Sequence, residues 1–239
     1  MRYVSWCVDT NPCSGKTFHY PTPLLQPEAK QPEGTNLLNS AAFHGLASPD
    51  NLVTQVEALL RSRQSSNAET KPLLIWEPLP SSCNSVNLDT HLQACKCVNV
   101  FSPNHLELAA LLSESENCTD AVGRVEIEAY SQKLLDLLDQ ETNTSLIIVI
   151  RAAEHSCLIL PRSCQVFWLP SVYQLAPSKI VDFTGAGNAF LRALGMLLQS
   201  NGNIKEAAIH GTITASFALW QVGLPVLGSA IVDGQDAET

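Results

Sequence analysis

The sequence predicts an α/β fold of three layers, αβα, built on a mostly parallel sheet, and three observations carry that reading. From residue 36 to about residue 225, short apolar runs of strand length alternate with longer segments whose apolar residues recur at helical spacing. Hydrophobic residues make up 45% of the 239 and charged ones 15%, so a sizeable core is available to cover both faces of a sheet. Late in the chain, a strand-like stretch turns through Gly185-Ala186-Gly187 directly into a helix.

Taken in order, residues 1–35 carry five prolines and little periodicity, which predicts extended or irregular chain. Ser14-Gly15-Lys16-Thr17 matches the end of a P-loop, but Thr10 stands where that motif needs glycine, so it reads as a plain loop. Residues 41–46 form a short apolar run. Ser48-Pro49-Asp50 then offers an N-cap, a first-turn proline and an acidic residue to a helix with Leu52, Val53, Val56, Leu59 and Leu60 on its core face. A polar loop over 61–71 leads to a strand at 73–76, closed by Glu77-Pro78. A helix over 88–95 and a strand over 98–101 follow. Ser102-Pro103 opens a helix carrying Asn104, Glu107, Leu108, Leu111 and Leu112.

Residues 124–140 are amphipathic through Ile127, Tyr130, Leu134, Leu135 and Leu138. Residues 146–150 read as a buried strand, 157–160 and 165–169 as shorter ones, and 179–182 as a strand end. Beyond the glycine turn, Phe190, Leu191, Leu194, Leu197 and Leu198 mark one helix face, and a last helix rich in small residues spans about 204–220. The acidic tail is expected to be loose. This gives an irregular segment 1–35, one α/β domain over 36–228 and a tail 229–239. The strands at 73–76, 98–101 and 146–150 are expected to be parallel neighbours with their C-terminal ends toward the 185–187 turn.

Fourteen basic residues against 23 acidic ones leave a net charge of −9 and no basic run, so neither nucleic acid nor an anionic membrane is an expected partner. No apolar segment is long enough to cross a bilayer. The first residues lack a secretory apolar region, because Asp9, Asn11 and Pro12 interrupt them. The eight scattered cysteines are therefore expected as reduced thiols in a cytoplasmic protein, and the sequons at Asn117 and Asn143 carry no weight.

Glycine lets the backbone turn sharply at 185–187 and approach a ligand closely. The first amides of the following helix lack partners and sit at the positive end of its dipole, a cradle for phosphate or another anion. A dinucleotide fingerprint would need glycine where Phe190 stands, and an early position in the chain. A tight structural turn is the plainer alternative. Asn104 and Glu107, three apart, project from one face of a first helical turn, where capping by a solvated Glu is the ordinary reading. His105-x-Glu107 lacks the downstream Cys-x-x-Cys of a zinc deaminase, and Cys95-x-Cys97 reads as core packing.

The stretch Val181-Asp182-Phe183-Thr184-Gly185-Ala186-Gly187-Asn188 resembles the second motif of the pfkB (ribokinase-like) carbohydrate kinases, a strand, D-T-T-G-A-G-D and a helix. Val98 to Leu108 resembles that family's strand-PNxxE-helix segment, in the family's order. The resemblance covers about residues 36–225 and implies a ribokinase-like, Rossmann-like domain. It implies that the amides of Gly185, Ala186 and Gly187 form an anion hole for the transferring phosphoryl group. Asn188 stands where the family has the Asp that takes the proton from the substrate hydroxyl; a neutral amide holds a hydroxyl but does not accept its proton.

By the same resemblance, Asp182, Thr184, Asn104 and Glu107 border the cofactors ATP and Mg²⁺, Glu107 acting through magnesium-bound water. Ala153 and Ser156 replace the two glycines of the family's T-x-G-x-x-G, and Ala153 is carried over to the nucleotide site. Gly211, Thr212 and Ser216 fall where the family borders adenine, or serve close helix packing. Trp76-Glu77-Pro78, Arg151 and Asn188 look most like the fungal maintenance-of-killer-type branch. Nothing before residue 36 matches the family's first strands, substrate lid or Gly-Gly motif, so the acceptor pocket is not legible. The implied activity is ATP-dependent phosphoryl transfer to an alcohol group of a small sugar or nucleoside, slowed by ~10²–10⁴ without its base. A non-catalytic nucleotide- or sugar-binding protein is the alternative, and a structural partner with a merely tight turn is the third.

Overall fold

Among the described residues, seven strands join one sheet in chain order: β1 (Tyr3–Cys7), β2 (Ala42–Ala47), β3 (Leu73–Pro78), β4 (Val100–Phe101), β5 (Ile147–Arg151), β6 (Cys157–Pro161) and β7 (Phe167–Trp168). β1 to β5 are parallel, and β6 and β7 fold back antiparallel. The computed structural model describes residues 3–7, 32–68, 70–112, 122–139, 146–161, 165–170, 177–223, 230–232 and 235–237. The P-loop-like 14–17 stretch and both sequons lie outside them.

Parallel neighbours in chain order need crossovers of one hand, which puts their helices on one side of the sheet. There lie α1 (Pro49–Ser65), α2 (Leu88–Cys95), α3 (His105–Leu112) and α4 (Arg124–Asp139). The other side is covered by α5 (Ala186–Asn201) and α6 (Ile204–Leu219), a closely packed antiparallel pair joined at Gly202-Asn203. Strand alternation divides the core accordingly. Leu74, Trp76, Phe101, Ile148, Ile150, Leu158 and Leu160 pack on the first side. Ile75, Val100, Val149, Cys157 and Ile159 meet Phe190, Leu191, Leu194 and Leu198 of α5 on the second. Each large apolar side chain so buried contributes about 1.5–3 kcal/mol.

The three-layer reading and the parallel β3-β4-β5 neighbours agree with this sheet. Four local expectations do not. The polar loop expected from 61 begins later, because α1 continues to Ser65; its buried Arg63 guanidinium donates to the carbonyls of Leu38, Ser40 (3.1 Å) and Thr70 (2.6 Å), and Leu60 is exposed. Residues 179–182 form no strand. The N–H groups of Val181 and Asp182 instead donate to the Leu219 carbonyl at 2.8 and 3.2 Å, satisfying the open end of α6. Part of the segment expected to be extended or irregular supplies β1, which pairs with β2 over five residues. In the tail, Ala230–Val232 pairs antiparallel with Gln235–Ala237; the Asp-Gly between them in sequence is a hairpin composition that the acidic character obscured. Among the described residues, no helix is long and apolar enough to cross a membrane.

Candidate functional site

Three apolar strands end in polar groups at the C-terminal edge of the sheet, and those groups meet. Glu77 near the end of β3 and Arg151 at the end of β5 form an ion pair, Glu77 Oε1 to Arg151 Nη1, at 2.7 Å. Arg151 Nη2 donates to the Ser102 carbonyl just beyond β4 at 3.0 Å and lies 3.7 Å from Glu107 Oε2. Behind them the buried His44 ring of β2 stands 3.1 Å from Glu77 Oε2. The side chains of Arg151, Glu77 and Glu107 are 17%, 14% and 6% exposed, so the group is largely shielded from water.

Glu107 sits in the first turn of α3. Asn104 Oδ1 accepts from the N–H groups of Leu106 and Glu107 at 2.9 and 2.8 Å, and Glu107 Oε2 accepts from the Asn104 N–H at 2.7 Å. That is a reciprocal capping box, with Asn104 Nδ2 donating to Glu107 Oε1 at 2.6 Å as well. The Glu is buried rather than solvated. Burial pushes its carboxyl up to about 7, against the opposing pull of Arg151 and the Asn104 N–H. Burial also pushes Glu77 up, but Arg151 and His44 outweigh it and hold that carboxyl below the usual range.

The turn into α5 begins at Gly185, whose φ of +83° is the left-handed conformation that glycine alone adopts at little cost. No side chain caps this helix. At Gly187 the need for glycine has a different cause. A Cβ there would fall 2.6 Å from Arg151 Nη1, so only glycine lets the guanidinium lie against the first turn of α5. The glycine turn and the charged group of the sheet edge are therefore one site.

Beside it opens a cavity of about 320 Å³, at the small end of the usual range for small-molecule pockets. Its walls come from Asn104 and His105 at the start of α3, the end of β5 and the turn beyond it (Arg151, Ala152, Ala153, Ser156), α5 (Ala186, Gly187, Phe190) and α6 (Thr212, Ala215), with Phe183 at the α5 entrance. His105 Nδ1 lies 3.4 Å from the Arg151 carbonyl, and burial pushes its ring toward the neutral form. Ala153 and Ser156, at the two positions where glycine was expected, keep glycine-like backbone, with φ of +46° and +77°.

Of the residues singled out in the sequence, Asn104, Ala153, Ala186, Gly187 and Thr212 line this cavity, and Glu107 joins it through Arg151. Asn188, Gly185 and Thr184 lie exposed around the start of α5. Asp182 Oδ1 accepts from the Thr184 N–H at 3.0 Å, which holds its carboxyl below the usual range. Gly211 and Ser216 do not line the cavity. A Cβ on Gly211 would meet the Phe190 ring at 2.9 Å and its carbonyl at 3.0 Å, while Ser216 donates to Ile213 in its own helix. Sequence reading gave no role to Glu77, Arg151, His44 or His105. The signal for the first two was a charged residue at the end of an otherwise apolar strand.

The donor set does not fit a divalent cation ligated directly by Glu107. Every oxygen of Glu77 and Glu107 already has a partner: Arg151 and His44 for one, Asn104 for both oxygens of the other. A 2+ ion about 4 Å from the guanidinium would be repelled by roughly 8 kcal/mol at an effective dielectric near 20. Among the described residues, no group of three or more His, Cys, Asp or Glu side chains is placed to hold a metal.

No family model matches the chain. It is 29% identical to an uncharacterised protein of Schizosaccharomyces pombe over 225 residues, 88% of this chain and 59% of the relative. To Protein MAK32 of Saccharomyces cerevisiae it is 27% identical over 188 residues, 77% of this chain and 50% of the relative. The chain thus spans between half and three-fifths of the length of these curated relatives. Among solved structures, adenosine kinase of Anopheles gambiae in complex with P1,P4-di(adenosine-5) tetraphosphate superposes with a TM-score of 0.56 at 21% identity, covering 78% of this chain and 53% of that one. Ribokinase of Cryptococcus neoformans in complex with ADP gives 0.58 at 19% identity, covering 80% and 59%. The fold is that of the ribokinase-like α/β proteins.

Proposed function

We propose that this chain is a ribokinase-like nucleotide-binding domain that transfers a phosphoryl group from ATP to an alcohol of a small sugar or nucleoside, slowly. The observation that carries the reading is the meeting of the uncapped α5 N-terminus, the Arg151 guanidinium and a cavity at the C-terminal edge of a parallel sheet. The fold-related adenosine kinase and ribokinase, solved with adenine nucleotides, support the choice of ligand. A base would sit beside the apolar walls of Phe183 and Phe190, and its phosphates toward the amides of Gly185, Ala186 and Gly187.

In the transfer, the acceptor hydroxyl oxygen bonds to the γ-phosphorus as the bond to the ADP oxygen breaks. Charge developing on the phosphoryl oxygens is met by the α5 amides and Arg151. The hydroxyl proton goes to solvent, because Asn188 does not accept it. The exposed, neutral Asn188 also favours a second reading, a nucleotide- or sugar-binding protein without turnover.

A thermal-shift and turnover screen with ATP against pentoses, hexoses and nucleosides tests both. Acceptor-dependent ADP release supports the kinase. A shift without turnover supports the binding protein, and no shift at millimolar nucleotide in a folded sample overturns both.

A further inference from the structure

The sequence resemblance implies Mg²⁺ beside the phosphates, whereas the charged group at this sheet edge already holds a cation of its own, Arg151. Arg151 lies between two carboxylates from different elements, 2.7 Å from Glu77 and 3.7 Å from Glu107. Its second anchor is the Ser102 carbonyl, and Gly187 leaves the space that brings Nη1 against the first turn of α5. Resting on the nucleotide reading above, we propose that Arg151 is the resident cation of this site, so that phosphate groups bind here without a divalent ion.

Four features of the site support this. The guanidinium is permanently charged, and its planar fork binds phosphate oxygens in pairs. Its Nη1 and Nη2 are held by Glu77 and the Ser102 carbonyl, and its Nε is buried without a hydrogen-bond partner. His44 and Asn104 take up the other carboxylate oxygens, which leaves little to attract a metal. Arg151 also lines the same cavity as Ala186 and Gly187, so a phosphate at the α5 N-terminus lies within its field.

The test has one arm with nucleotide and one without. Calorimetric titration of the intact chain with ATP, and with inorganic tripolyphosphate, is run in 5 mM EDTA and again in 5 mM MgCl2. The expected dissociation constants agree within about threefold. In the second arm, Mn²⁺ is titrated by electron paramagnetic resonance without nucleotide. The wild-type chain is expected to bind none below millimolar concentration, and Arg151→Gln, which removes the guanidinium from between Glu77 and Glu107 and leaves their negative charge uncompensated, is expected to gain one site and a tenfold divalent dependence of ATP binding.

A tenfold loss of ATP affinity in EDTA, a submillimolar Mn²⁺ site in the wild type, or an Arg151→Gln chain that folds but gains no Mn²⁺ site would each overturn the proposal. If that variant does not fold, the two wild-type arms decide. If no nucleotide binds under any condition, the proposed function fails, and the Mn²⁺ comparison still decides the place of Arg151.

Discussion

Asn188 and Glu107 carry the sharpest consequences at the scale of single residues. If the site transfers phosphate without a base, Asn188→Asp restores one, and acceptor-dependent kcat should rise by ~10²-fold or more. ATP affinity should move by less than about threefold, since a base acts in the transition state. Steady-state kinetics beside calorimetry separate the two. Glu107 gives a pH signature. Its carboxyl is raised from 4.5 to about 7 by burial, so between those values the folded chain holds a proton that the unfolded chain has lost. Its ionisation therefore destabilises the fold as pH rises through that window. Relative to Glu107→Gln, the wild type should lose about 3 kcal/mol of unfolding free energy from pH 4.5 to 7, read from urea melts of both proteins. Glu77, depressed by Arg151 and His44, acts with the opposite sign and at lower pH.

At the scale of elements, the turn from β5 to β6 and the α5–α6 pair make opposite demands on small residues. Ala153 holds φ of +46°, a conformation that costs a non-glycine residue about 1–2 kcal/mol. Ala153→Gly should therefore stabilise the chain by about 1 kcal/mol, after the added flexibility of the unfolded state is deducted, seen as a higher urea midpoint at unchanged slope. Ser156→Gly should gain less, because Ser156 Oγ donates to the Pro170 carbonyl at 2.9 Å. Gly211 behaves in reverse. Gly211→Ala drives a methyl into the Phe190 ring and carbonyl and should cost about 1–3 kcal/mol in the same assay. Sequence legibility followed these differences. Spacing marked α5, α6 and the glycine turn because each is a local pattern. Residues 179–182 were misread because their partner, the Leu219 carbonyl, lies about 40 residues away. The end of α1 was misread because the buried charge of Arg63 looks like a loop residue until its three carbonyl partners are seen.

For the whole molecule, alternation of apolar runs made the parallel sheet readable, and the strict strand order explains why four helices share one side. Half of the site was readable too, since the amides at 185–187 and the Asn104–Glu107 turn are sequence motifs. The other half was not. Glu77, Arg151 and His44 come from three strands, and only the sheet register brings them together. The chain also spans 50–59% of its curated relatives, and an acceptor site could not be traced from the residues that match.

The claim that joins these scales is that a nucleotide's phosphates rest on the start of α5 against Arg151. Isothermal titration of ATP into the wild type, Gly187→Ala and Gly187→Val tests it most directly, with circular dichroism melts confirming that each sample is folded. The account predicts saturable one-site binding to the wild type, weakened at least tenfold by alanine and lost with valine, because a side chain at 187 displaces the guanidinium from the first turn of α5. A folded wild type that takes up no ATP at millimolar concentration, or a Gly187→Val chain that binds as the wild type does, would contradict it.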